Sequence, residues 1–88
     1  MIYIDEIRDY TGMTNLKYKK WSHMWTDGDI EELHKFAEKL GLKRRWFQNK
    51  KRLPHYDLVP TKRAIALRMG ARFIPLREWY KKLKLMNK

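Results

Sequence analysis

Hydrophobic and polar positions change period several times along the chain, and each change marks an element. Ile2, Tyr3 and Ile4 form a short β-branched and aromatic run, which predicts a strand ending at Asp5. From Trp21 to Trp25 the alternation is strict, with Trp21, His23 and Trp25 on one face and Ser22 and Met24 on the other. The period then lengthens. Ile30, Leu33, Ala37 and Leu40, widened by Phe36, fall on one stripe of a helix. Asp29 stands at its N-cap with Glu32 three residues later, a capping-box-like start, and Gly41 stops it. Residues 44–48 read as a strand with Trp46 and Phe47 on opposite faces, and His55-Tyr56-Asp57 as another, with His55 and Asp57 sharing a face. Thr61, preceded by Pro60, is the expected N-cap of a second helix from Lys62 to Met69, with Gly70 as its stop. Residues 71–76 predict a strand that Pro75 confines to an edge or cuts short. Trp79, Tyr80, Leu83 and Met86 then give the three- and four-residue spacing of a last helix over 77–87. The poorly periodic stretch 6–20 carries Gly12, Thr14 and Asn15 and reads as a loop. This order predicts a single compact α/β domain over 1–88, a sandwich with a mostly parallel sheet of about four strands and about three helices.

Charge changes the picture more than composition does. The chain has 88 residues and a formal net charge of +11. Residues 1–44 hold 8 Lys/Arg against 8 Asp/Glu, whereas residues 45–88 hold 13 Lys/Arg against Asp57 and Glu78 alone. The second half thus carries the whole excess. Such an asymmetric field recruits polyanions, and nucleic acid or a phosphorylated ligand is the expected partner. The plainer alternative is a solubilising surface or a basic face meeting an acidic protein. With no cysteine, disulfides, thiolate ligands and a cysteine nucleophile are all excluded, which fits a reducing compartment. No apolar run approaches the length of a membrane span, and the first residues lack the basic and apolar regions of a signal peptide, so a cytoplasmic location is expected.

The candidate chemistry gathers around residues 45–57. Arg45 offers a planar fork and Gln48 both a donor and an acceptor to a ligand. Trp46, Phe47 and Tyr56, with Trp21, offer stacking surfaces, and Lys50, Lys51 and Arg52 form a basic loop that is otherwise a solvated turn. Lys17, Tyr18, Lys19 and Lys20 form a second cation–aromatic mixture, able to grip a phosphate backbone or to fold back onto the core. His55-x-Asp57 can supply two ligands to a divalent metal, or an aspartate that orients a histidine. Asp5 and His23, at or near predicted strand ends, extend that set, so Asp5, His23, His55 and Asp57 are the candidate metal ligands. Each also has a structural alternative, as a turn cap or a histidine bonded to backbone. His34, on or beside the buried helix face, reads as a satisfied core histidine. Lys62 and Arg63 sit in the first turn of a helix, where the dipole disfavours cations; a bound anion would resolve the conflict, as would Asp57.

Tyr3-Ile4-Asp5, Trp21-Ser22-His23, Glu32-Leu33-His34, Arg45-Trp46-Phe47-Gln48 and Pro54-His55-Tyr56-Asp57 resemble, over nearly the whole chain, a small domain family of bacteria and their phages known only as a domain of unknown function. The resemblance implies a compact bacterial or phage domain and brings no activity with it. A second, fold-level likeness, to PIN-like ribonucleases, rests on a first strand ending in Asp5, on Asp57 before a helix and on the strand at Phe73-Ile74. It would imply carboxylates clustered around a divalent metal.

Three readings follow. The first is a non-catalytic module that binds nucleic acid or another phosphorylated polyanion through the basic second half. The second is an effector that occupies a host protein. The third is a metal-dependent phosphodiester hydrolase in which Arg45 and Arg63 neutralise phosphate. The third requires His23 and His55 to share one face of the sheet. Oligomeric state and the choice between DNA and RNA stay open.

Overall fold

A computed structural model describes residues 1–9 and 20–86, so residues 17–19 of the predicted 17–20 grip, the Gly12–Asn15 loop markers and the last two residues of the basic tail lie outside the described residues. The architecture is built on one long strand. β1 (Ile2–Ile4) and β2 (Arg8–Asp9) precede β3 (Lys20–Thr26), whose seven residues pair with three other strands. After β3 come α1 (Ile30–Lys39), a 3₁₀ turn (Arg44–Trp46), β4 (Tyr56–Leu58), α2 (Pro60–Arg68), β5 (Arg72–Phe73) and α3 (Leu76–Met86). The α/β class holds, but among the described residues the sheet is five-stranded and mixed rather than mostly parallel. β3 runs antiparallel to β1, β2 and β4, and β1 and β5 are parallel.

The reversal of β4 has a local cause. Residues 44–48 do not form the expected strand. Lys43 and Arg44 carbonyls close the 3₁₀ turn by accepting from the N–H groups of Trp46 and Phe47. Gln48 and His55 then exchange both backbone hydrogen bonds, at 2.8 and 3.0 Å. This bridge folds residues 49–54 into a hairpin-like loop, so the chain enters β4 in the opposite sense from a simple strand–helix–strand crossover.

Alternation along the strands sends side chains to two layers. On one face Ile2, Ile4, Met24, Tyr56 and Leu58 pack against Leu33 and Ala37 of α1, its C-cap Leu40, and Ala66 of α2. On the other, Tyr3, Trp25 and Leu53 pack against Leu76 and Trp79 of α3. Tyr3, Trp25 and Trp79 form an aromatic cluster, with centroids 5.1 to 6.1 Å apart.

The helix ends differ in how far they follow local chemistry. Asp29 caps α1 by accepting from the Glu31 N–H at 3.0 Å, while Glu32 does not close the capping box. Its carboxylate instead accepts from Thr26 Oγ1 at 3.1 Å and from the Met1 amine at 2.8 Å. Gly41 leaves the helix at φ +82°, a left-handed conformation that favours glycine. α2 starts two residues earlier than expected, at Pro60 rather than Lys62. Val59 is its N-cap without a side-chain bond, and Pro60 occupies the first turn, where its fixed φ suits a helix. Among the described residues no helix is long and apolar enough to cross a membrane.

Candidate metal centre

β3 and β4 pair with His23 directly opposite Asp57. Opposed residues on antiparallel strands project to the same face, and His55 lies two residues before Asp57 on that face. The geometry therefore meets the condition on His23 and His55. Their rings lie edge to face with centroids 4.7 Å apart. His23, His55 and Asp57 each offer one ligand atom, all within 4.8 Å of one another. His55 Nε2 and Asp57 Oδ1 are 3.3 Å apart. Two adjacent ligands bonded at about 2.1 Å to one ion are separated by roughly 3.0–3.4 Å in octahedral or tetrahedral geometry, so this pair is already spaced for a shared cation.

Each of the three groups is oriented by its own partner. Asp5 is fully buried, and its carboxylate accepts from the His23 backbone N–H at 2.6 Å and bonds His23 Nδ1 at 2.7 Å. That bond assigns the ring proton to Nδ1 and leaves Nε2 of His23 as the ligand nitrogen. His55 Nδ1 donates to the Leu53 carbonyl at 2.7 Å. A carbonyl only accepts, so the Nε2 lone pair of neutral His55 faces the Asp57 carboxylate. Two lone pairs at that distance repel unless a proton or a metal ion stands between them. Burial alone would push the His55 imidazole down, but the Asp57 contact and the Leu53 carbonyl outweigh it and hold its pKa above 6.5. Gln48 Nε2 donates to Asp57 Oδ2, which leaves Oδ1 toward His55.

Asp5, expected among the ligands, thus stands behind the cluster as the partner of His23. The grouping of two histidines and one aspartate also differs from the cluster of carboxylates that the likeness to PIN-like ribonucleases would imply. Arg63 is anchored nearby, with its Nε donating to the Asp5 carbonyl at 3.2 Å and its guanidinium 5.6 Å from the centre of the Phe73 ring.

A cleft of about 620 Å³ opens beside the centre, lined by Asp57 and Gln48 together with Trp21, Arg45, Trp46 and Lys62. Trp46 is 48% exposed, so one of its faces is available to a ligand. Lys62 donates to the Leu40 carbonyl at 2.7 Å, at the carboxyl end of α1. That contact, rather than Asp57, offsets the cost of a cation in the first turn of α2. Other expected ligand groups fall elsewhere. Tyr56 is 1% exposed on the opposite face, where its hydroxyl bonds His34 Nδ1 at 2.8 Å. It belongs to the core and offers no stacking surface. Lys50 and Lys51 are exposed on the loop between Gln48 and His55. Arg52, also exposed, lies 5.1 Å from the Tyr80 ring. The backbone bond allowed for His55 is present, but its acceptor, the Leu53 carbonyl, has no residue signature in the sequence.

No curated protein and no solved structure gives a significant match to the chain. A family model described as "Protein of unknown function (DUF4031)" matches residues 2–86. The match spans all the elements described above, and the chain belongs to this family of unknown function.

Proposed function

We propose that the protein is a metal-dependent hydrolase of phosphoesters, with one divalent ion held by His23, His55 and Asp57. The observation that supports this reading is the complete outer set around three convergent ligands: Asp5 on His23, the Leu53 carbonyl on His55 and Gln48 on Asp57. Metal ligands are characteristically oriented in this way, and here the partnered atoms leave the three remaining ligand atoms converging within 4.8 Å. Two imidazoles and one carboxylate suit zinc, iron, manganese or cobalt and leave coordination positions open to water and substrate.

The ion would lower the pKa of a bound water and polarise a phosphoryl oxygen. Arg45 and Lys62, lining the adjacent cleft, supply positive charge for the remaining phosphate oxygens. Water oxygen bonds to phosphorus and the bond from phosphorus to the leaving alcohol breaks. The two protons of the water end on the product phosphate and the alcohol. Cleft volume and the exposed Trp46 face favour an ester that carries a planar group.

The test is metal titration of chelator-stripped protein, followed by assay with a chromogenic phosphodiester. Cobalt should bind one ion per chain with visible absorption bands that His55→Ala abolishes. Turnover of the ester should require the metal and disappear in the same variant. Absence of stoichiometric binding would overturn the centre. Tight binding with no turnover of the diester, of a monoester or of single-stranded nucleic acid would overturn the hydrolase.

A further inference from the structure

A second concave surface lies on the same side of the sheet as the metal centre. It is a groove of about 1120 Å³ lined by Arg8, Arg52, Arg77, Tyr80, Lys81 and Lys84, with Leu76 and Leu83 at its base. Among the described residues, five cations and no carboxylate line this groove. Arg8 is paired with Glu6 at 3.0 Å, but among the described residues Arg52, Arg77, Lys81 and Lys84 form no ion pair. Arg77, Lys81 and Lys84 recur at spacings of four and three, so they share one face of α3 and succeed one another about every 5–6 Å along its axis. A surface of unneutralised like charge costs folding free energy. An extended polyanion laid along the row would offset that cost.

We infer that this groove is a docking track for single-stranded nucleic acid. Three features select that occupant. First, the cations form a row, which suits a chain of phosphates better than an isolated one. Second, the row includes an aromatic partner: Arg52 lies 5.1 Å from the Tyr80 ring, and a planar guanidinium on an aromatic face is a surface on which an unpaired base stacks. A duplex keeps its bases inside and has no use for such a surface. Third, most of the apolar side of α3 is already occupied, with Leu85 the one large apolar side chain of the helix left exposed among the described residues. Leu76 and Trp79 are buried against Tyr3 and Trp25, so the helix has no wide apolar face to insert into a bilayer.

Arg52 is followed by Leu53, whose carbonyl holds His55, so the chain links one wall of the groove to the candidate metal centre. Delivery of a phosphodiester to that centre rests on the proposed hydrolase. Binding in the groove does not.

Fluorescence anisotropy tests the binding in chelator, where the metal plays no part. The probes are labelled single-stranded RNA and DNA and a duplex of the same sequence, measured across a salt series. Heparin and anionic phosphatidylserine vesicles serve as competitors. A triple variant, Arg77→Glu with Lys81→Glu and Lys84→Glu, is compared with a control triple, Lys35→Glu with Lys39→Glu and Arg68→Glu, which makes the same charge change outside the groove. Thermal melts of both confirm folding. The groove variant should bind single strands at least a hundredfold more weakly, and its log–log salt slope should flatten by about 2 for three lost contacts. The control should lose far less. Tyr80→Leu, which keeps the packing, should weaken binding by about tenfold while leaving the salt slope unchanged. The inference falls if the two triples lose affinity equally, if duplex binds as tightly as single strand, or if vesicles or heparin bind while nucleic acid does not. Retained single-strand binding in His55→Ala supports the track even if the hydrolase fails.

Discussion

Gln48 illustrates how much one uncharged side chain can decide. Its backbone pairs with His55 and its amide donates to Asp57, so it fixes two of the three candidate ligands at once. Gln48→Met keeps length and volume but removes the donor. Loss of an outer partner of this kind typically weakens metal affinity by about 10- to 100-fold. Competition against a chromophoric chelator would measure it, and an unchanged affinity would remove Asp57 Oδ1 from the ligand set. Tyr56 makes the contrasting case one residue from Asp57. Its side chain points into the α1 side of the sheet and bonds His34. Tyr56→Phe should cost about 1 kcal/mol in denaturant unfolding, the usual net worth of one buried hydrogen bond, and leave metal affinity untouched. A drop in affinity would show that the two faces of β4 are coupled.

At the scale of elements, α3 is held by a side chain distant in sequence. Glu6 Oε2 accepts from the Leu76 N–H at 3.2 Å, at the first residue of the helix, where backbone donors lack intrahelical partners. Burial alone would raise the Glu6 carboxyl, but bonds from its own backbone N–H, from Leu76 and from Arg8 outweigh it and bring its pKa below 4.5. A carboxyl whose folded pKa is depressed contributes stability above its unfolded pKa and loses it as pH falls through the folded value. The amides of α3 should therefore exchange faster with solvent as pH falls below about 4.5, after correction for intrinsic rates. Glu6→Ala should remove that acid step and cost about 1 kcal/mol, as loss of a helix cap does. An identical acid profile in the variant would separate α3 from Glu6. No sequence pattern announces a cap supplied 70 positions away. What was legible was local: α1 from its Asp29 cap, its stripe and Gly41, and α3 from the spacing of Trp79 and Leu83. Residues 44–48 were misread because period two over five residues does not exclude a 3₁₀ turn. Strand direction was misread because β3 takes three partners through long-range pairing, and the Gln48–His55 bridge that reverses the chain has no local signature. The site shows the same division. H-x-D and W-x-H-x-W placed His23, His55 and Asp57 on faces, but only the register of β3 against β4 sets them opposite one another and leaves Asp5 behind them.

Across the whole molecule, the candidate metal centre joins segments that the chain keeps apart. Its groups and their partners come from β1, β3, the Gln48 bridge and β4, so the arrangement exists only when the sheet is assembled. A metal ion bound there belongs to the folded state and not to the unfolded chain, and mass action makes it a stabiliser. At a free metal concentration one hundred times the dissociation constant, the gain is about 2.7 kcal/mol. For a domain of this size each kcal/mol moves the melting temperature by about 4–8 °C, so the expected rise is roughly 10–20 °C. The excess of positive charge supplies the necessary control. Any salt screens self-repulsion in a chain of net charge +11, and a divalent chloride adds ionic strength. Melts in zinc, manganese or cobalt should therefore be compared with melts in sodium chloride of equal ionic strength. They should also be compared with calcium, whose preference for oxygen ligands disfavours a centre built on two imidazoles. A rise with the transition metal alone, absent in His23→Ala and His55→Ala, would join the fold and the centre in one equilibrium. Equal rises in every salt would show that the metal only screens the basic half, and the His23–His55–Asp57 centre would be refuted.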